Sequence, residues 1–173
     1  RLEAFIGKGK VFNSFTLFDK YLVYKILSES KLKHTIIPSF DYRPDLLLSI
    51  LRQKGTALIK PALGAMGSSV YKIVVDGSIF KLYLQTTLFP QVFHNSDELI
   101  AYIGKLTDKR RFIIQPFINF TKVKGQMFDV RMLVQKNGRG QWDITADMSR
   151  VCFKESFVSN FVYALQTAEE ALA

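Results

Sequence analysis

The sequence predicts a mixed α+β fold. Apolar, strand-like segments are joined to their neighbours by short turns, so local hairpins dominate over strand-helix alternation. Helical patterns stand between these hairpins. With 48% hydrophobic and 13% aromatic residues among 173, the chain can bury one sizeable core or two small subdomains that share an interface. A disordered chain is therefore excluded, and a doubly wound parallel sheet is disfavoured.

The N-terminal third predicts a helix, a strand, a second helix and a second strand. Apolar residues at three- to four-residue spacing indicate an amphipathic helix over residues 17–33. The segment "HTIIPSF" indicates a short strand that Pro38 ends. The second helix is expected to begin near Pro44, because proline is favoured in a first helical turn, and to end at Gly55. The strand "TALIK" follows at once.

Two hairpins are indicated further along the chain. The segments "SSVYKIVV" and "IFKLYLQ" flank an Asp-Gly pair, which is a strong turn signal between apolar runs. The long strands "FDVRMLVQ" and "WDITADMSRVCF" flank the second signal, Asn137-Gly138.

The elements around these hairpins complete the prediction. Asn95, with Glu98 three residues later, is typical of a capping box and begins a helix that runs to about Leu106. The segment "RFIIQPFI" predicts a buried strand, and residues 163–173 predict a short alanine-rich helix. Packing in the core or between strands is expected for three aromatic residues: Phe117, Phe128 and Trp142.

Composition indicates the cellular environment of the protein. The single cysteine, Cys152, cannot form an internal disulfide, and two distant histidines do not have the spacing of a zinc or haem site. We therefore expect a reducing, cytoplasmic environment. The apolar runs are interrupted well before the roughly 20 residues that a membrane span needs, and no signal peptide is evident. A first residue, Arg1, that is not Met leads us to expect a fragment.

The net charge of +9 is compatible with nucleic acid, an anionic membrane surface or phosphorylated ligands. The basic run "DKRRF" at 108–112 is more typical of a charged turn than of a nucleic-acid patch, and no helix-turn-helix or RNP-like pattern accompanies it. Nucleic acid is therefore a disfavoured partner.

The segment "LIKPALGAMGSSVYKI" carries the main chemical signal. Lys60 ends an apolar strand, where an ammonium group either reaches solvent or is aimed at a fixed anion. Gly64 and Gly67 would allow backbone N–H groups to approach phosphate oxygens without an intervening Cβ. The lysine precedes the glycines and a hairpin follows them, so neither a Walker P-loop nor a dinucleotide fingerprint fits.

An ordered set of further segments makes the resemblance specific. "NSFTLFDKYLVYKIL" precedes the glycine loop, "FIIQPFI" follows it, and "GQMFDVRMLVQKNGRGQWDITADMSRV" leads to "VSN". Together they resemble the ATP-grasp fold, in which two α+β subdomains with antiparallel sheets clasp ATP. The last of these segments, with its Asp-Val-Arg strand, Asn-Gly hairpin and Ser-Asn, is similar to the ATP-grasp subfamily described as endospore coat-associated proteins of spore-forming bacteria, and the match covers roughly positions 13–160.

The resemblance implies a nucleotide site with a phosphate end. Lys20 and Lys60 would bind the ATP phosphates, and Gly64, Gly67 and Ser68 would form a loop over them. The structural alternatives are a solvated helix face for Lys20 and a solvated strand end for Lys60. Both alternatives stay open from the sequence.

The resemblance also implies an adenine end. The carbonyl of Pro116 and the N–H of Ile118 would hold the base, and proline loses nothing there because it lacks only the donor. Gln115 precedes them and either turns to the adenine edge or is an ordinary buried glutamine.

Two arginines are the candidate catalytic residues. Arg131 and Arg150 lie on consecutive strands among apolar neighbours, where an unpaired guanidinium is costly. They would grip the transferring phosphoryl group or a substrate carboxylate. The alternative is an ion pair with Asp129, Asp143 or Asp147.

The match has gaps where catalysis would be completed. Asn160, in "VSN", corresponds to a substrate-binding position of the family, although Asn is also a common turn residue. The family binds Mg²⁺ through an Asp and a later Glu-x-Asn, and no Glu-x-Asn follows Arg150. No metal ligand is therefore assigned. The Gly-Gly turn expected after Ser-Asn is replaced by "FVYALQ".

These observations combine into one expectation and one alternative. The protein is expected to bind ATP and Mg²⁺ and to act as an ATP-dependent carboxylate-amine ligase through an acyl phosphate, on an unidentified acid. The alternative is a noncatalytic nucleotide-binding or structural protein associated with the spore and its coat proteins. The expected domains are an N-terminal helical part (1–40), a small lid subdomain (41–116) and an incomplete large subdomain (117–173).

Overall fold

The computed structural model describes residues 3–8, 10, 18–64, 69–85, 89–154 and 156–172. Their strands form one six-stranded and one four-stranded sheet, and every pairing between them is antiparallel. Helices pack beside these sheets, so the predicted α+β class is confirmed.

The six-stranded sheet has the strand order β1-β6-β2-β3-β4-β5. The elements up to its last strand are α1 (Glu3–Ile6), α2 (Lys20–Ser28), a 3₁₀ helix (Lys33–Thr35), β1 (Phe40–Asp41), α3 (Pro44–Lys54), β2 (Thr56–Pro61), β3 (Tyr71–Asp76), β4 (Ile79–Leu84), β5 (Gln91–Phe93), α4 (Ser96–Thr107) and β6 (Phe112–Pro116).

Helices α3 and α4 cover one face of this sheet and close the main core. Helix α3 begins at Pro44 and ends where Gly55 turns left-handed at φ 69° and donates its N–H to Leu51 O. Asn95 caps α4 by accepting from the N–H of Glu98, as the capping-box pattern predicts. The fully buried members of this core are Leu47, Ala57, Ile59, Ile73, Leu82, Leu99, Ile103 and Ile114.

Helix α3, strand β2, helix α4 and strand β6 lie where the sequence predicts them. Both predicted hairpins are also confirmed. Strands β3 and β4 pair through Asp76 and Ile79, so a two-residue turn joins them, and Gly77 supplies its positive φ of 60°.

The second sheet contains β7 (Lys122–Val123), β8 (Gln126–Lys136), β9 (Trp142–Cys152) and β10 (Val162–Gln166), in the order β10-β9-β8-β7, and α5 (Ala168–Leu172) follows. Its core among the described residues is small and centres on Phe128, Val151 and Ala171. The ends of β8 and β9 near their connecting turn extend away from this core. Trp142 is therefore 70% exposed and is not a core residue, but Nζ of its cross-strand partner Lys136 lies 5.4 Å from its ring centre, so the contact is between strands.

Helix α2 is shorter than predicted. Asp19 accepts hydrogen bonds from the N–H groups of Tyr21 and Leu22, so it caps the helix and places its first residue at Lys20. The helix ends at Ser28 rather than continuing to residue 33, because Ser30 accepts and donates hydrogen bonds that close a turn there. Residues 11–17 lie outside the described part of the chain.

Two other predictions are wrong in detail. The strand expected before Pro38 lies after it, because Phe40 pairs with Ile114 of β6 while residues 33–35 form a 3₁₀ helix. The tail begins with strand β10 rather than a helix, because residues 162–166 pair along the edge of β9. The short edge strands β5 and β7 carry too little pattern to be recognised from sequence.

Two glycines with open space around a Cβ should respond oppositely to alanine. Gly55→Ala places a side chain at φ 69° and should lower the free energy of unfolding by about 1 kcal/mol. Gly104→Ala, inside α4 without a positive φ, should raise it by roughly 0.5–1 kcal/mol. Urea unfolding of both variants measures the difference, and equal shifts would contradict this account of the α3 C-terminus.

Candidate functional site

A cavity of about 200 Å³ collects five of the residues predicted to form the site. Lys60 from β2 lines it, as do Gln115 and Pro116 from β6, Ile118 from the segment after β6, and Asn160 from the loop before β10. These residues are up to 100 positions apart in the chain. The rest of the lining is mainly apolar and consists of Ile37, Leu58, Val70, Phe120, Phe157, Val158 and Ser159.

Strand alternation places Lys60 in this cavity. Ala57 and Ile59 of β2 are fully buried against the helices, so Leu58 and Lys60 face the opposite side of the sheet. Burial lowers the pKa of Lys60, and the nearby charge of Lys20 lowers it further. Within the part of the chain that the structure describes, Lys60 has no salt-bridge partner. Its ammonium group is thus available to an anion in the cavity.

Lys20 lies close to Lys60 but is already hydrogen-bonded. Its Nζ donates to the carbonyl oxygens of Gly64 at 2.8 Å, Pro61 at 3.1 Å and Ala62 at 3.4 Å. Burial lowers its pKa, against the opposing charge of Asp19. Lys20 therefore ties α2 to the beginning of the glycine loop, and a phosphate would have to replace some of these carbonyl contacts.

Arg111 fixes the start of α2 and was missed by the sequence reasoning. Its Nη1 donates to Asp19 Oδ2 at 2.9 Å, and its Nε and Nη2 donate to the two carboxylate oxygens of Asp41 at 2.7 and 2.8 Å. Its guanidinium also lies 5.0 Å from the ring centre of Tyr21. The run "DKRRF" was expected to be only a charged turn, and no local pattern links Arg111 to carboxylates 92 and 70 residues away.

The pKa of Asp19 is lowered by its hydrogen bonds and by the nearby cations. The N–H of Leu22 is the largest cause that lowers its pKa, and Tyr21 N–H, Arg111 and Lys20 act in the same direction against burial. A carboxylate is thus held ionised at the helix start beside Lys20.

The glycine loop is described only at its ends. Gly64 has φ 146°, a value that favours glycine, and its carbonyl is the shortest contact of Lys20. Gly67 and Ser68 lie outside the described residues, so their predicted role stays a prediction. Ser69 has a positive φ of 61°, and its hydroxyl accepts a hydrogen bond from Arg110 at 3.3 Å.

The segment from Gln115 to Ile118 forms another part of the lining. Gln115 is buried, and its amide Nε2 donates to Ser39 Oγ at 2.6 Å, which favours the alternative of a buried structural glutamine. Pro116 ends β6 opposite Ala57. Ile118 is 41% exposed, and its N–H meets no backbone acceptor among the described residues. Pro116 and Ile118, two residues apart, thus both line the cavity.

Both candidate catalytic arginines bind Asp129. Arg150 donates from Nε to Oδ1 at 2.8 Å and from Nη2 to Oδ2 at 2.6 Å, while Arg131 makes one contact of 3.2 Å. The ion-pair alternative, with Asp129 of the three candidates, is the arrangement present, and neither arginine lines the cavity. Arg150 also donates to Ser159 Oγ at 2.9 Å, and Ser159 does line it, beside Asn160.

Asp129 is held ionised by this cluster. Burial alone would raise its pKa, but hydrogen bonds from Arg150 and Ser159 and the charges of both arginines together lower it. The Arg150 side chain is only 17% exposed, so its bidentate pair is shielded from solvent, whereas Arg131 is 54% exposed.

Metal-ligand residues are not clustered in the described part of the chain. The described residues contain no group of three or more His, Cys, Asp or Glu residues that could hold a metal ion, and those that line the cavity include no carboxylate. Among the same residues, no helix is long and apolar enough to cross a membrane.

A family comparison decides the relationship. The family model described as YheC/D like ATP-grasp matches residues 8–169. This chain belongs to the YheC/D-like ATP-grasp family. The resemblance drawn from the lysines, the glycine loop and the arginine strands is thereby confirmed, as is the ATP-grasp form of the α+β class.

Two curated proteins of Bacillus subtilis (strain 168) are similar to the chain. Endospore coat-associated protein YheD is 24% identical over 150 residues, which cover 84% of this chain and 33% of YheD. Endospore coat-associated protein YheC is 23% identical over 160 residues, which cover 90% of this chain and 42% of YheC. The chain thus spans between a third and a half of the length of these relatives. No solved structure gives a significant match.

Breaking the shielded arginine pair should lower stability in a pH-dependent way. Arg150→Met leaves a half-buried carboxylate without its bidentate partner and should lower the free energy of unfolding by about 2 kcal/mol at pH 7. Because the folded-state pKa of Asp129 is lowered, this contribution is present above the ordinary carboxyl pKa of about 4 and is lost as the pH falls through the lowered value. Urea unfolding from pH 7 to pH 3 measures the loss.

Arg131→Met is the matched control. It removes one positive charge beside the same carboxylate, Asp129. The single contact of Arg131 is longer and exposed, so the free energy of unfolding should change by no more than about 0.5 kcal/mol. Equal destabilisation by the two variants would show that the bidentate geometry of Arg150 has no special weight.

Proposed function

We propose that this chain binds ATP in the cavity lined by Lys60, Pro116 and Ile118. The observation that carries the proposal is the convergence, in one cavity, of Lys60, which has no salt-bridge partner among the described residues, with Pro116 and Ile118, which offer a backbone carbonyl and a backbone N–H. These are the two kinds of group that a nucleotide needs at its phosphates and at its base. The membership of the chain in an ATP-grasp family supports the same ligand.

The phosphate end would lie at Lys60. Burial is the main cause of its lowered pKa, and no carboxylate pairs with it among the described residues, so a phosphate would supply a compensating negative charge. Lys20 would add a second cation, because its ammonium group is close enough to Lys60 to affect its pKa. The predicted roles of Gly64, Gly67 and Ser68 above the phosphates belong to this proposal.

The base would lie at the other end. The Pro116 carbonyl would accept from the adenine amino group, the free Ile118 N–H would donate to a ring nitrogen, and Leu58 and Val70 would supply apolar contact. On this view, region 41–116 would contribute Lys60 and Pro116, region 117–173 would contribute Ile118 and Asn160, and region 1–40 would contribute Lys20.

The finer proposal is an ATP-dependent ligase. A substrate carboxylate oxygen would attack the γ-phosphorus of ATP, ADP would leave, and an amine would displace phosphate from the acyl phosphate to form a C–N bond. Asn160, at the cavity wall, would contact the acid. For this reaction Arg131 and Arg150 would have to exchange Asp129 for the reacting oxygens, and no step is assigned to Mg²⁺.

One observation favours a noncatalytic alternative. Both arginines are engaged with Asp129 and neither lines the cavity, an arrangement suited to binding a nucleotide without turning it over. In that case the chain would be a nucleotide-binding component, and the names of YheC and YheD suggest an association with the spore coat. Release of ADP from ATP in the presence of amines and carboxylic acids would separate the two.

Replacing Lys60 should weaken ATP binding without unfolding the protein. Lys60→Met keeps the apolar stem but removes the charge that faces the phosphates, so the Kd for ATP in MgCl₂ should rise about tenfold or more. Isothermal titration calorimetry measures it.

Lys54→Met is the matched control, because it removes the same charge from an exposed position at the end of α3. It should leave the Kd unchanged within about twofold. The proposal fails if the wild-type protein does not bind millimolar ATP, or if Lys60→Met binds as tightly as Lys54→Met.

A further inference from the structure

A second and larger cavity lies beside the nucleotide cavity and has no role in the proposed function. It measures about 440 Å³, within the range of roughly 300–1,000 Å³ that is usual for small-ligand sites. We call it the lysine-aromatic cavity, because its lining includes three lysines and four aromatic rings. The described lining residues are Lys72, Lys122, Lys154, Tyr83, Phe117, Phe120, Phe157, Asn119, Met127 and Ser156.

The segment after β6 separates the two cavities. Pro116 and Ile118 line the nucleotide cavity, whereas Phe117 and Asn119 line the lysine-aromatic cavity. The alternation follows from an extended chain, whose successive side chains point to opposite sides. Among the lining residues that the structure describes, Phe120 and Phe157 border both. A ligand in one cavity therefore need not displace a ligand from the other.

Charge in this cavity is unbalanced. Three lysines line it, and among the described lining residues there is no Asp or Glu. None of the salt bridges in the described part of the chain involves Lys72, Lys122 or Lys154. Cations gathered without counter-charges repel one another, and an anion among them would relieve that repulsion.

Of the three lysines, Lys72 is the one that is not a solvent-exposed surface residue. It is half-buried on β3, in register with Leu58 and Tyr83, and its Nζ lies 4.2 Å from the ring centre of Phe117. Burial is the main cause of its lowered pKa, and the charge of Lys122 is the second. An exposed lysine would extend into water. Lys72 is instead held at the cavity wall, where its ammonium group lies over the Phe117 ring.

We propose that the lysine-aromatic cavity binds a small organic anion with a flat apolar body and two or more carboxylate or phosphate groups. The aromatic rings would contact the flat body, and Lys72, with Lys122 and Lys154 nearer the solvent, would meet the charges. This site is independent of the proposed ATP site and can be occupied together with it.

Calorimetric titration with isophthalate, a flat aromatic dianion, tests the proposal. Isophthalate should bind, whereas isophthalamide, a neutral molecule of the same shape, should bind at least about tenfold more weakly because it cannot pair with ammonium groups. Pyrophosphate, an anion without a flat apolar body, should also bind more weakly than isophthalate. Absence of isophthalate binding at millimolar concentration, or equal binding of the amide, overturns the proposal.

Variants locate the probe. Lys72→Met should weaken isophthalate binding about tenfold, while Lys72→Arg, which keeps the charge and the ring contact, should stay within about threefold of wild type. Lys105→Met removes one charge from the exposed side of α4 and should have no effect. Equal loss in Lys72→Met and Lys105→Met would show that only net charge attracts the probe, which contradicts a built site.

Independence from the nucleotide is tested by two further measurements. Lys60→Met should leave isophthalate binding unchanged, and a saturating nonhydrolysable ATP analogue should not displace the probe. Competition, or a loss in Lys60→Met as large as in Lys72→Met, would place the probe in the nucleotide cavity and overturn the second site. Failure of ATP to bind would contradict the proposed function alone, because isophthalate binding does not depend on it.

Discussion

The register between β2 and β6 is the constraint on which the candidate site depends. Leu58 pairs with Gln115 and Ala57 pairs with Pro116, so Lys60 on β2 and the Gln115–Pro116 end of β6 are joined through one antiparallel ladder. A slip of one residue would turn Lys60 toward the helices, where Ile59 is now fully buried. The cost of burying an ammonium group in that core makes the alternative register unfavourable. The apolar core therefore determines which face of the sheet carries the cations.

The arginines and the lysines near the site differ in how their charges are paired. Arg111 is held by Asp19 and Asp41, and Arg150 is held by Asp129, so these two guanidinium groups near the site are matched by carboxylates. The lysines at the two cavities have no such partners among the described residues. Arginine suits the structural role because its planar fork meets both oxygens of a carboxylate. The unpaired lysines leave positive charge available to ligands.

Local signals predicted most of the fold. The Pro44 and Gly55 boundaries, the Asn95 cap and the two hairpin turns act through contacts within a few residues, and all are present. The failures are at positions where a distant partner decides. Phe40 is a strand residue because β6 lies beside it, and the residues after Val162 form a strand because β9 offers an edge.

The sequence by itself determined the α+β class, the ATP-grasp resemblance and five of the residues that meet at the cavity, because residue type and order carry those signals. Only the tertiary structure decided what each polar group binds. Lys20 donates to loop carbonyls, Arg150 binds Asp129, and Phe117 turns away from Ile118 into a separate cavity. Such choices depend on contacts between residues far apart in the chain, and a linear pattern does not record them.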